Sequence, residues 1–148
     1  MNKIEYLEGL NVNAIVILCS GEFPELIKTT TVKVPIIFPD LLLKNIVSTL
    51  NIRRLGIIVP LKEQVTYAMN KWDKYASQTV VVHVSPYTGR SEEFKEASEI
   101  LRKSNVDLIV MDCIGYTLQH KLIVRRHTGV PVITPRSILG RVLAELYG

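Results

Sequence analysis

Two cysteines, Cys19 and Cys113, are the chain's only thiols, and each stands where a strand-like apolar run gives out. Cys19 closes the run Ala14-Ile15-Val16-Ile17-Leu18 and is followed by Ser20-Gly21-Glu22. Cys113 follows Asp107-Leu108-Ile109-Val110-Met111-Asp112 and precedes Ile114-Gly115-Tyr116-Thr117. In both places a glycine two residues on permits a tight turn and close approach of a ligand to the backbone. A thiolate is a nucleophile and a base. Thr117 is suited to cap a helix whose free N–H groups favour a thiolate at Cys113 and can hold a carboxylate. One cysteine in such a place reads as packing, because free cysteine is among the most buried residue types. Two in matching turns set thiol chemistry at Cys19 and Cys113 on equal terms with packing.

Other candidates are weaker. Ser85-Pro86-Tyr87-Thr88-Gly89 follows a strand-like run and offers hydroxyls and an aromatic ring to a pocket, although Pro and Gly also mark an ordinary turn. Asp112 can position Cys113 or act only as a turn former. His83, His120 and His127 show no metal-ligand spacing, and no metal site is expected. There is no Walker loop, no G-x-G-x-x-G and no G-x-S-x-G elbow.

The elements that must position these residues follow from hydrophobic periodicity. Continuous β-branched runs at residues 14–19, 34–38, 55–59, 79–84, 107–111 and 130–133 lack alternation. That pattern marks strands buried on both faces, as in a parallel sheet covered by helices. Between them lie helical patterns. One opens at Pro39-Asp40 with Leu42, Leu43, Ile46, Val47 and Leu50 inward. One covers residues 62–75 with Val65, Ala68, Met69, Trp72 and Tyr75 as its stripe. A third is capped by Ser91, a fourth runs from Thr117 to Gly129, and the last covers residues 137–147. From Arg54 onward the order is β-α-β-α-β-α-β-α. The expected fold is α/β: a doubly wound, flavodoxin-like lobe with a four-stranded parallel sheet over residues 51–148. Residues 1–50 supply a partial N-terminal lobe of two strands and helices. In open parallel sheets ligands bind beyond the carboxyl ends of the strands, where both cysteines fall.

Composition sets the outer bounds. The chain is 47% hydrophobic and 22% charged, which suits a packed core. A net charge of +4 is spread along the sequence, with its densest points at Arg53-Arg54 and Arg125-Arg126-His127. Nucleic acid is not an expected partner, since no aromatics interleave with these short basic pairs. No apolar run approaches a membrane span, and residues 1–9 lack the apolar core of a secretory signal. The expectation is a cytoplasmic protein with reduced thiols.

The stretch Val59-Pro60-Leu61-Lys62-Glu63-Gln64, then Lys71-Trp72, then Ser85-Pro86-Tyr87 resembles the AroM family. So do Asp107 through Tyr116 with its D-C-x-G-Y run, the segment Arg136-Ser137 to Leu146, and Leu18-Cys19-Ser20-Gly21-Glu22-Phe23. The resemblance covers nearly the whole chain. It implies kinship with aspartate/glutamate/hydantoin racemases, and a chain that starts after the leading segment of such proteins. Those enzymes set two cysteines on opposite faces of a substrate α-carbon and need no cofactor. Carried over, Cys19 and Cys113 are the proton-transferring pair. Ser20, Gly21, Ile114, Gly115 and Tyr116 become the turns that hold a small carboxylate. Racemases commonly carry Thr and His after the second cysteine; Ile114 and Gly115-Tyr116 stand there instead, so the base-assisting histidine is missing. Two functions are therefore expected. One is cofactor-independent isomerisation of a small carboxylate, with Ser85 and Tyr87 added to its binding residues. The other is a non-catalytic carboxylate-binding or regulatory protein on the same fold. Homo-oligomerisation is expected with either.

Overall fold

The computed structural model describes residues 3–29 and 32–148. Its larger sheet has four parallel strands in the order β4-β3-β5-β6. These are β3 (Arg54–Val59), β4 (Gln78–His83), β5 (Leu108–Met111) and β6 (Val132–Ile133). The central strands β3 and β5 are the most apolar, and both are buried on both faces apart from Arg54. Edge strand β4 is half-buried and leaves His83 exposed. A smaller parallel sheet pairs β1 (Ile15–Val16) with β2 (Ile36–Ile37). The N-terminal apolar runs therefore pair over two residues each. Their ladder bonds end at Ile17 N–H donating to Ile37 O at 3.1 Å, so Leu18 and Cys19 lie beyond the strand and are exposed.

Helices cover the larger sheet on both sides. Successive β3 side chains point to opposite faces. Ile58 joins Phe94, Leu101, Ile109 and Tyr116 beneath α5 (Ser91–Lys103) and α6 (Leu118–Thr128). Leu55 and Ile57 join Leu43, Val47, Ala68 and Trp72 beneath α3 (Pro39–Thr49) and α4 (Val65–Trp72). Each such fully buried Leu or Ile contributes about 1.5–3 kcal/mol. α3 thus packs on the larger sheet and lies alongside α7 (Pro135–Tyr147). Two short helices, α1 (Lys3–Glu8) and α2 (Pro24–Thr29), flank β1, and α2 had no periodic signature in the sequence. No described helix is long and apolar enough to cross a membrane.

Helix ends match their sequence signals with two exceptions. Thr117 Oγ1 accepts from His120 N at the start of α6, and Gly129, at φ 75°, closes it in the left-handed conformation that glycine tolerates best. α5 starts at Ser91, but its cap is Arg90, whose N–H donates to Glu93 Oε2 at 2.7 Å. α7 begins two residues early, at Pro135 behind the Thr134 cap, where proline's missing N–H costs nothing. The expected helix over residues 62–75 is one α-helix between two 3₁₀ turns. Met69 of its predicted stripe is 46% exposed, while Lys71 is buried in its place.

Candidate functional site

The turns after β1 and β5 face one crevice of about 140 Å³ at the carboxyl rim of the larger sheet. Cys19, Ser20 and Gly21 of the first turn line it together with Asp112, Cys113 and Ile114 of the second. Val59, Pro60 and the α4 region, with Gln64, Tyr67, Ala68 and Lys71, complete the lining.

The two turns share one local geometry. Gly21 N–H donates to Cys19 Sγ at 3.3 Å, and Gly115 N–H donates to Cys113 Sγ at 3.4 Å. These amides therefore stabilise the thiols themselves. Cys19 is exposed and Cys113 half-buried. Burial pushes the Cys113 thiol up, and the Gly115 amide and Tyr87 hydroxyl pull against that rise.

The turns differ in how they are held. Backbone bonds fix the second: Asp112 N–H donates to Ile58 O at 2.8 Å, and Tyr116 N–H donates to Cys113 O at 3.2 Å. Side chains fix the first. Lys71 Nζ, 1% exposed, donates to Ser20 O at 2.6 Å. Lys44 Nζ donates to Glu22 Oε1, and Tyr67 donates to Glu22 Oε2 at 2.9 Å. Lys71 also bonds Asp112 Oδ2 at 2.8 Å, an oxygen it shares with Trp72 Nε1 at 2.8 Å. Asp40 stands between the lysines, 2.8 Å from each. Its Oδ1 meets Lys71 as an ion pair outside hydrogen-bond alignment. Among the described residues nothing donates to Asp112 Oδ1. Burial opposes the charge on both lysines, but their carboxylate partners outweigh it and raise both pKa values. The Lys44 hydrogen bond lowers that of Glu22.

Of the residues singled out from sequence, Cys19, Ser20, Gly21, Cys113 and Ile114 meet at the crevice. Tyr87 is 76% exposed and lies over Gly115, so close that a Cβ there would stand 2.6 Å from its hydroxyl. Gly115 is therefore roofed rather than open. Ser85 turns inward to its own loop, its Oγ accepting from Tyr87 N and Thr88 N at 3.2 Å each. Tyr116 is fully buried, with its hydroxyl donating to Val84 O at 2.7 Å; it props the turn from below. Burial pushes its phenol far up. His120 stacks on Phe94 at 4.6 Å and accepts from Thr117 N through Nδ1, away from the lining. Sequence reasoning missed Asp40, Lys44, Gln64, Tyr67 and Lys71. The signal present was the Asp40/Lys44 spacing of four, which brings two residues together on one helix face.

The fold has close counterparts among solved structures. Allantoin racemase from Klebsiella pneumoniae superposes with a TM-score of 0.68 at 19% identity, over 97% of this chain and 64% of that one. A glutamate racemase isoform from Bacillus anthracis gives 0.67 at 16% identity, over 98% and 63%. Arylmalonate decarboxylase gives 0.71 at 15% identity, over 97% and 70%. The chain spans under two thirds of the length of these two racemases. No curated protein matches its sequence. A family profile described as AroM protein matches residues 1–147, and the chain belongs to that family, with a fold like that of the racemases and the decarboxylase above.

Proposed function

We propose that the chain moves a proton at the α-carbon of a small carboxylate, without a cofactor, using Cys19 and Cys113. The observation that carries the reading is that both thiols line one crevice, each holding the amide of the glycine two residues on. In the proposed turnover one thiolate takes the α-proton: an S–H bond forms, the C–H bond breaks, and its electron pair passes into the carboxylate as an enolate. The opposite thiol gives its proton to the far face, forming the new C–H bond and leaving a thiolate. Cys113, whose thiol burial pushes up, holds its proton and is the donor in the first turnover. The chemistry needs reduced thiols, which fits a cytoplasmic setting. Incubation with a panel of amino and hydroxy acids in heavy water tests it. Deuterium at the α-carbon, lost in Cys19→Ala and Cys113→Ala, is the expected result; no exchange with fold and thiols intact refutes it.

A second reading is a binding protein that works through the same crevice without turnover. Its support is the raised Cys113 pKa, which works against a thiolate. It predicts that small carboxylates raise the melting temperature equally in the wild type and in Cys113→Ala.

A further inference from the structure

Lys71 touches the chain next to both cysteines. Its ammonium meets the carbonyl of Ser20, the residue after Cys19, and the carboxylate of Asp112, the residue before Cys113. It is buried, lies 5.2 Å from the centre of the Trp72 ring, and has its third contact at Asp40. The Asp112 turn has backbone bonds to β3 and within itself. The Cys19 turn has much less. Past the Ile17–Ile37 ladder bond, its anchors outside the turn among the described residues are Lys71 at Ser20 and the Lys44–Tyr67 pair at Glu22. One thiol thus sits on a turn fixed by the sheet, and the other on a turn hung from lysines.

We propose that Lys71 is a positioning residue that sets the separation of the two thiols across the crevice, with Asp112 as the fixed end of the tether. The proposal rests on the two-thiol reading above. α4 is built for the task, since consecutive residues Lys71 and Trp72 both donate to Asp112 Oδ2. That shared acceptor fixes the ammonium laterally, so the carbonyl of Ser20 has one place to bind. A buried ammonium with three oxygen partners has no freedom to swing.

The separation is readable without a substrate. Dibromobimane bridges two thiols within its reach: each C–Br bond breaks as a C–S bond forms, releasing two bromides and two protons. In the wild type the reagent should yield the Cys19–Cys113 bridged peptide as the main product by mass spectrometry. Lys71→Met should lower the ratio of bridged to singly modified chain at least fivefold, while iodoacetamide still modifies exposed Cys19 at an unreduced rate. Lys71→Arg, which keeps the charge and the donors, should stay closer to the wild type than Lys71→Met. Gly56→Ala, a destabilised control at a residue outside the crevice lining, should bridge like the wild type; a merely structural role for Lys71 predicts that both variants lose bridging in step with stability.

Two further variants cover failure to fold. Lys71→Met with Asp112→Asn removes the stranded carboxylate charge, and Asp112→Asn alone keeps an acceptor for Trp72; both should lower the ratio severalfold. A ratio within twofold of wild type in any folded variant of this set other than Lys71→Arg and the control overturns the proposal. Bridging in the wild type without α-proton exchange removes the catalytic reading and leaves the tether standing. No bridging in the wild type removes both.

Discussion

Tyr87→Phe should make Cys113 a poorer thiolate. The Tyr87 hydroxyl lies against the Cys113–Gly115 turn and acts against the rise that burial imposes on the Cys113 thiol. A full hydrogen bond to a charged group is worth about 1.5–3 kcal/mol, and for a hydroxyl on a ring 76% exposed solvent screening cuts this upper bound by about half, to roughly 0.75–1.5 kcal/mol. At about 1.4 kcal/mol per decade, the thiolate population below the pKa falls about three- to tenfold. Gly115→Ala should do the same by a different route. The new Cβ would stand 2.6 Å from the Tyr87 hydroxyl oxygen, 2.8 Å from its Cζ and 3.0 Å from Pro86 Cγ, so the exposed ring must swing off the sulfur. The assay is the pH profile of iodoacetamide alkylation, read on the Cys113 peptide so that Cys19 does not interfere. Because both changes remove one contact, the double variant should lose no more than either single one. Superimposable profiles for wild type and Tyr87→Phe, or losses that multiply in the double variant, would refute the assignment.

Three further outcomes follow from the packing and the charges. Gly56→Ala places a Cβ 3.1 Å from Ile109 Cγ1 and Leu101 Cδ2 and 3.2 Å from Val106 Cγ2, and should cost about 1–3 kcal/mol in urea unfolding through overpacking. Trp72→Phe removes the indole donor to Asp112 from a fully buried site; about 2–4 kcal/mol should be lost, read by far-ultraviolet circular dichroism because the chain has one tryptophan. Burial lowers the pKa of His120, and the Arg136 charge adds to this. The unfolded chain then binds the extra proton first, so this group's contribution is present above pH 6.5 and is lost as pH falls from there through the folded pKa. His120→Gln should flatten that part of the stability profile.

The larger sheet was legible because its two central strands obey one rule over nearly their whole length. The runs at Leu55–Val59 and Leu108–Met111 are apolar at every position, and both proved buried on both faces. The two cysteine turns were legible for a related reason: a polar Cys-x-Gly after an apolar run marks where a strand must stop. The lysine network was not. Periodicity assigns a lysine beside a tryptophan to the solvent, and what buries Lys71 is Asp112, 41 residues away in sequence, together with Ser20, 51 residues away. The same gap explains Met69, which took the stripe position on paper and stands exposed. The burial of the Tyr116 side chain was not legible either, because it depends on the Val84 carbonyl, 32 residues away in sequence, which gives the hydroxyl a partner inside the core.

The twin glycines leave the two thiols unequally open to engineering. A methyl group added at Gly21 would rest 3.4 Å from Cys19 Sγ and 3.8 Å from the Phe23 ring, ordinary contact distances, whereas at Gly115 the space is already taken. Saturation of codon 21 therefore offers a graded steric dial on one sulfur alone, while any side chain at codon 115 must first displace the Tyr87 ring.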